Sequence, residues 1–196
     1  MQEIKNGIDR THLDYLMRKN KHNAPYTIGE LNRMVEQYRV SQGSRVHNYR
    51  MRTHTDEEKK STKTDQWDLP LTVCSCGSLV PPFIAASGRN CSALKEPHSV
   101  LLAAYGQIKD ASGLIVGSIQ MGHKPNSIIR ESLGLKGEDS FDAGRCAEPH
   151  AAHRLMNESG AIKDVSEILF SVALDARYPI AKPYCVTCRC VFPQLR

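Results

Sequence analysis

The sequence predicts an α/β domain that carries a helical N-terminal extension. A turn-forming stretch separates two apolar segments within residues 101–121, which predicts a β-hairpin. Residues 144–157 have the composition of a helix, and residues 168–174 form a short apolar run typical of a buried strand. A second helix is expected to begin after Cys185. The order hairpin, helix, strand, helix is an α/β pattern.

Composition limits the classes of protein that the chain can belong to. With 196 residues, 40% hydrophobic and 24% charged, it can bury one core and is not disordered throughout. The longest apolar run, Val100 to Tyr105, is far shorter than the roughly 20 residues of a membrane helix. No basic-then-apolar leader follows Met1, so we expect a cytoplasmic site of action. The net charge of +5 is compatible with an anionic partner.

The most regular segment of the N-terminal extension is residues 27–40. Thr27 and Glu30 have the spacing of a capping box, which marks the start of a helix. Apolar residues then recur at helical spacing: Leu31, Met34, Val35 and Tyr38. The segment therefore predicts an amphipathic helix, either packed on the domain or carried as an arm.

A change in composition divides the chain near residue 69. A weaker helix is expected at 13–19, and residues 41–68 are polar and charged, as in a linker. The basic stretch at 45–54 fits a solvated linker better than a nucleic-acid arm, because charge runs usually keep a chain soluble. We therefore predict an N-terminal extension over 1–68 and the α/β domain itself over 69–196.

The domain itself is expected to continue in short elements after the hairpin. Residues 125–134 predict a loop and a short helix. The helix at 144–157 can tolerate Pro149 only in its first turn, so it must begin shortly before that residue. Prolines then bend the chain after the strand and lead it to Cys185.

Cysteine usage points to a metal rather than to disulfides. The seven cysteines are an odd number, and no leader accompanies them. The pair Cys185 and Cys188 has a spacing that lets both sulfurs face one ion. We expect Cys74, Cys76 and Cys91 to be buried free thiols, because no fourth ligand at a standard spacing accompanies them.

Cys146 and Glu148 lie at the predicted start of one helix, and Cys185 and Cys188 at the start of another. A strand between these helices would bring both helix starts to the same sheet edge. Helix N-termini stabilise thiolates through their free N–H groups and aligned dipoles. Three thiolates could bind zinc and leave a fourth position for water, as a catalytic site requires. Glu148 would then lie beside that water without binding the metal and could move its proton.

These motifs resemble those of the zinc-dependent cytidine deaminase superfamily. Cys146-Ala147-Glu148 followed by Cys185-x-x-Cys188 is similar to the three-cysteine form of its signature. Residues 144–149 are most similar to the YwqJ-like deaminases, toxin domains at the C-termini of large secreted bacterial proteins. Two features depart from the pattern. Pro183 lies one residue further from Cys185 than is usual, and the sequence given ends eight residues after Cys188.

The resemblance implies a mixed sheet between helices, bound Zn²⁺ and hydrolytic removal of an amino group from a base. The expected base is cytosine. It implies that Cys146, Cys185 and Cys188 bind the metal and that Glu148 protonates the ring nitrogen. The backbone around Ala147 and Tyr184 would bind the target base. The expected substrate is nucleic acid presenting a single-stranded or flipped base, and no membrane is expected as a partner. A toxin-like domain would also have an immunity protein as partner and could be delivered by a larger secreted protein.

Alternative readings of the same residues stay open. His150 could complete a closed, purely structural zinc site, and Cys190 could replace Cys188 as a ligand. An enzyme of free cytidine or deoxycytidine salvage would share the motifs. Glu148 separates the enzymes from the structural site, because only a deaminase needs a carboxylate there.

Overall fold

The computed structural model describes residues 27–37, 40, 70–76, 83–86, 93–136, 140–160, 162–175 and 181–196. The predicted helix at 13–19, the linker at 41–68 with its basic stretch, and Cys91 lie outside these residues. The proposed division of the chain near residue 69 therefore stays a prediction.

Helices and short strands alternate along the described part of the chain. The helices are α1 (residues 28–37), α2 (Ser99–Gly106), α3 (Ser127–Ser132), α4 (Ala147–Ser159) and α5 (Val186–Val191), with 3-10 helices at Val165–Glu167 and Pro193–Leu195. The strands are β1 (Pro70–Cys76), β2 (Phe83–Ala86), β3 (Ile108–Lys109), β4 (Ile115–Gly117), β5 (Ile168–Phe170), β6 (Ala173–Asp175) and β7 (Ala181–Lys182). The predicted α/β class is confirmed in its coarse form.

Strand β1 is the centre of a five-stranded sheet. β2 pairs with one edge of β1, while β5 and then β6 pair with the other edge, and β7 pairs with β6. The register aligns Val73 with Ile84, Cys74 with Phe170 and Leu71 with Leu174. All pairings among the described strands are antiparallel, so the mixed sheet implied by the resemblance is not what these strands form.

The apolar run at 168–174 forms two strands rather than one. The break falls at Ser171 and Val172, whose backbone groups bond outside the sheet. The Ser171 hydroxyl donates to the carbonyl of Val172 at 2.8 Å, and the Val172 N–H donates to Asn32 Oδ1 at 2.8 Å. A residue whose N–H is bonded elsewhere cannot continue the ladder with β1.

The prediction of one hairpin over residues 101–121 was wrong in its first arm. Residues there belong to α2, which begins after His98, whose Nδ1 accepts a hydrogen bond from Val100 N at 3.3 Å. The turn was correct, because Asp110 Oδ1 accepts from the main chain of Ser112 and Leu114. The short arms β3 and β4 pair as a separate two-stranded sheet. In the main sheet, the consecutive strands β1 and β2 pair antiparallel.

Helix α1 begins as its sequence predicted. The Thr27 N–H donates to Glu30 Oε2 at 2.8 Å, and the Glu30 N–H donates to Thr27 Oγ1 at 3.3 Å, which is a complete capping box. The apolar residues Leu31, Met34 and Val35 are buried. Through Asn32 this helix bonds to the break between β5 and β6, so α1 is docked on the domain.

Helix α4 lies against the sheet and positions the residues at its own start. It contacts β1, β2 and α2, and alanines on its buried face let the backbones approach closely. Phe170 of β5 and Phe192 after α5 meet edge to face at a centroid distance of 4.9 Å, which joins the C-terminal helix to the same core. None of the helices in the described part of the chain combines the length and apolarity needed to cross a membrane.

Candidate metal centre

The fold brings together the thiols of Cys146, Cys185 and Cys188. Their three Sγ atoms all lie within 4.8 Å of one another. The Sγ atoms of Cys146 and Cys185 are 3.2 Å apart although 39 residues separate them in the chain. A group of three sulfurs at this spacing could hold a metal ion, and thiolate sulfur is a ligand that Zn²⁺ prefers.

Each of the two helices that meet here begins at a cysteine. Cys146 is the N-cap of α4 and Cys185 is the N-cap of α5, both with extended backbone. The Cys185 sulfur accepts a hydrogen bond from the N–H of Cys188 at 3.4 Å, as a capping side chain does. The same geometry that starts the helices therefore aims the sulfurs at one point, where the helix N-termini favour negative charge.

Hydrogen bonds among the sulfurs distribute their protons unequally. Donation from the thiols of Cys146 and Cys188, aided by backbone N–H groups of Cys188 and Phe141, lowers the pKa of Cys185 to about 3. The hydrogen bonds of Cys188 to the other two sulfurs, together with burial, hold its pKa well above the ordinary value. The hydrogen bond to Cys185 is the main cause that raises the pKa of Cys146. Cys185 is thus the sulfur that ionises most readily, and a cation displacing the remaining protons would face three sulfurs.

Glu148 lies beside the sulfurs but outside their group. Its side chain is 3% exposed, and its Oε2 accepts a hydrogen bond from the thiol of Cys188 at 3.4 Å. Among the described residues, the group of atoms close enough to hold one ion contains the three sulfurs and no carboxylate oxygen. The carboxylate is therefore next to a candidate metal position without being part of it.

The two residues that the resemblance assigns to base binding flank the same cysteines. Ala147 is the first residue of α4 and is fully buried. Tyr184 is half-buried, and its hydroxyl donates to the carbonyl of Ser171. Burial first, and then the charges of Glu148 and Cys188, raise the pKa of Tyr184 to about 12. The phenol is thus neutral and lies within the electrostatic reach of Glu148.

His150 and Cys190, the alternative ligands considered from the sequence, lie outside the three-sulfur group. His150 is buried on α4, and Cys190 is buried on α5. Burial raises the pKa of Cys190 to about 11, so this thiol stays protonated at neutral pH. Cys74 and Cys76 are part of strand β1, which precedes both helix starts in the sequence.

The loop at residues 140–143, which the sequence did not single out, is bonded to the start of α5. Thr187 Oγ1 donates to the carbonyl of Phe141 at 2.5 Å, and the backbone of Phe141 hydrogen-bonds to the Cys185 sulfur. In the sequence, the one sign of this contact is that Thr187 lies between the candidate ligands Cys185 and Cys188. Nothing in the local sequence marks Phe141.

The same loop is fixed on its other side by Tyr105 and Gly144. The Gly144 N–H donates to the hydroxyl of the buried Tyr105 at 3.2 Å. Gly144 has φ of +81°, and a Cβ there would lie 2.8 Å from Met121 Sδ and 3.1 Å from the backbone nitrogen of Leu94. The close approach explains why glycine stands two residues before Cys146.

No family model, no curated protein and no solved structure matches the sequence or the fold. The chemical content of the site therefore carries any functional argument by itself: three convergent sulfurs and an adjacent buried carboxylate.

Proposed function

We propose that the chain is a zinc-dependent deaminase that converts cytosine to uracil within nucleic acid. The observation that carries the proposal is the buried Glu148 carboxylate beside three convergent thiols. The donor set fits zinc, because three thiolates satisfy its preference for soft ligands and leave one position open. When bound, zinc would activate water and polarise the reacting group as a Lewis acid.

Glu148 is the group that would move protons. The net reaction adds water to cytosine and releases ammonia, so a proton must pass from the water to the base and its leaving amino group. A carboxylate next to the metal position can accept that proton and deliver it to the ring nitrogen. Its burial excludes bulk water, which strengthens its electrostatic effect on the reacting atoms.

The start of α4 supplies groups for holding the base. The first N–H groups of a helix have no partner within the helix, and Cys146 does not cap α4 through its side chain. Pro149 has no N–H, so we expect the N–H of Ala147 to be the donor for the carbonyl oxygen of a pyrimidine. Tyr184 would contact its ring.

The net charge and the motif extend the proposal to a substrate class and a partner. The net charge of +5 supports a polyanionic substrate, since basic proteins attract phosphate backbones. If the chain is toxin-like, as residues 144–149 suggest, a cognate immunity protein would bind over the site. The expected immunity protein is inferred from the resemblance of the motif alone.

A deamination assay with zinc quantification tests the proposal. The wild type, Glu148→Gln and the control Glu131→Gln would be given single-stranded DNA, duplex DNA, RNA and free cytidine. Glu131 is an exposed glutamate on α3 that is not part of the three-sulfur group, so its substitution makes the same chemical change at a residue outside the candidate site. We expect Glu148→Gln to lose about 10²- to 10⁴-fold in rate, the usual contribution of a general acid–base. Zinc content should be the same in all three proteins.

Three results would contradict the proposal in different ways. Activity on free cytidine alone would place the enzyme in nucleoside salvage. Bound zinc without activity on any of the four substrates would favour a structural metal site. Equal rates for Glu148→Gln and the wild type would remove the proposed role of the carboxylate.

A further inference from the structure

Phe141 presents a large apolar ring to solvent at the edge of the candidate metal centre. The residue is 48% exposed. Its backbone hydrogen-bonds to the Cys185 sulfur, and its carbonyl accepts from Thr187 Oγ1 at 2.5 Å. The bonds N–Cα, Cα–Cβ and Cβ–Cγ join the ring to this backbone nitrogen. The ring is therefore tethered to main chain that contacts a candidate ligand.

The loop that carries Phe141 is held in place from several directions. The Ala143 N–H donates to the carbonyl of His123 at 2.8 Å, and Arg145 pairs with Asp142 at 2.7 Å. With the bond from Gly144 to Tyr105, these contacts hold the chain between Phe141 and Cys146. A ring on such a loop has only its two side-chain torsions left to order when it binds something.

Single exposed apolar residues are common and need no function. Leu114, 66% exposed on the turn of the β3–β4 hairpin, is an example in this chain. Phe141 differs because its main chain is hydrogen-bonded to two residues at the start of α5, one of them a candidate ligand. Its ring is also aromatic, so it offers a flat face rather than apolar bulk alone.

We infer that Phe141 is a stacking platform for a base of a single-stranded polynucleotide bound beside the three-cysteine site. The inference rests on the proposed function and names its substrate class. An aromatic face can stack on any base, which suits a protein that must hold a strand without reading its sequence. Tyr184 is the more buried aromatic and lies near Glu148, so it is placed for the reacting cytosine. Phe141 is more exposed and is placed for a neighbouring base.

A binding experiment with a fluorescent base tests this inference without turnover. Zinc-loaded protein carrying Glu148→Gln would be titrated into short single-stranded oligonucleotides with 2-aminopurine on either side of one cytosine. Stacking on an aromatic ring quenches 2-aminopurine, so quenching reports the contact itself. We expect quenching with Phe141 and with Phe141→Trp. We expect its loss with Phe141→Leu, together with binding weaker by about 5- to 150-fold, the range for one base–aromatic stack.

Controls separate stacking from folding. Leu114→Ala removes another exposed apolar side chain, which lies on a turn, and should leave affinity and quenching unchanged. Zinc content and circular dichroism should be the same in every variant, because both hydrogen bonds of Phe141 use its main chain. Phe141→Tyr provides a second ring-retaining variant and should behave like the parent protein.

The inference is overturned if Phe141→Leu binds and quenches like the parent, or if the zinc-loaded protein binds no oligonucleotide. The proposed deamination is read separately, as uracil formed by protein with Glu148 intact. Uracil formation with an unaffected Leu variant would refute stacking alone. Quenching that depends on the ring, without uracil formation, would refute deamination alone.

Discussion

Replacing Gly144 by alanine tests how the loop before Cys146 supports the site. Gly144 has φ of +81°, and an added Cβ would lie 2.8 Å from Met121 Sδ and 3.1 Å from Leu94 N. The methionine side chain can rotate away, but the backbone nitrogen of Leu94 can move only if the neighbouring main chain moves with it. Gly113 offers a matched control, because it has φ of +85° with nothing within 4 Å of its Cβ position.

The two substitutions differ in crowding and share the backbone strain. A left-handed conformation costs a residue with a Cβ about 1–2 kcal/mol relative to glycine. That cost should be the whole effect of Gly113→Ala. Inserting a methyl group into a packed site adds about 1–3 kcal/mol. We therefore expect Gly144→Ala to lower the free energy of unfolding by about 2–5 kcal/mol.

Urea denaturation of the metal-free and zinc-loaded proteins would measure these losses. Zinc affinity would be measured by competition with a chromogenic chelator. It should fall in Gly144→Ala, since Cys146 follows two residues later, and stay unchanged in Gly113→Ala. Equal losses of stability in the two variants would refute the reasoning about crowding. Unchanged zinc affinity in a destabilised Gly144→Ala would refute the link between the loop and the sulfurs.

Two further predictions concern the contacts that hold helices in place. His153 Nδ1 accepts from the N–H of His98 at 3.1 Å, and burial followed by the charge of His98 lowers the pKa of His153. Because the pKa of His153 is lower in the folded chain than in the unfolded chain, the unfolded chain binds the proton more tightly. The folding stability that neutral His153 contributes is therefore fully present above about pH 6.5 and is lost as the pH falls through the folded pKa. His153→Asn, which keeps an acceptor, should flatten that decline in thermal unfolding between pH 7 and 5, and an unchanged slope would contradict it. Asn32→Ala removes the acceptor for the N–H of Val172 and should cost about 0.5–1.5 kcal/mol in urea, whereas a change within error would show that this bond does not stabilise the docking of α1.

The sequence predicted best where a structural signal is local. The capping box of Thr27 and Glu30 needs residues three apart, and the turn at Asp110 needs residues two to four apart. For the cap and the turn, short-range chemistry determines the geometry. The convergence of Cys146 with Cys185 was also expected, although the segment between them holds three short strands in place of the single strand on which that expectation was based.

Long-range contacts account for what the sequence did not predict. Residues 101–106 contain an apolar run that fits a strand or a helix, and the helix formed because Leu101 and Tyr105 pack on one face. The break in the apolar run at Val172 depends on Asn32, a partner 140 residues away. The bonds of Phe141 to the start of α5 likewise join segments that no periodicity relates. Such pairings appear only once the chain is folded.

The cysteine that caps helix α5 has a thermodynamic consequence. Because the Cys185 sulfur accepts the capping hydrogen bond from the N–H of Cys188, its side chain loses its freedom when α5 forms, before any ion arrives. Cys146 also occupies an N-cap position, but its side chain makes no capping bond. At Cys185, capture of a soft cation would then require no further ordering of the side chain. Zinc-finger peptides behave differently, since they are unfolded without their metal. In this chain, selection for a well-formed start of α5 and selection for metal affinity would act on the same residue, Cys185.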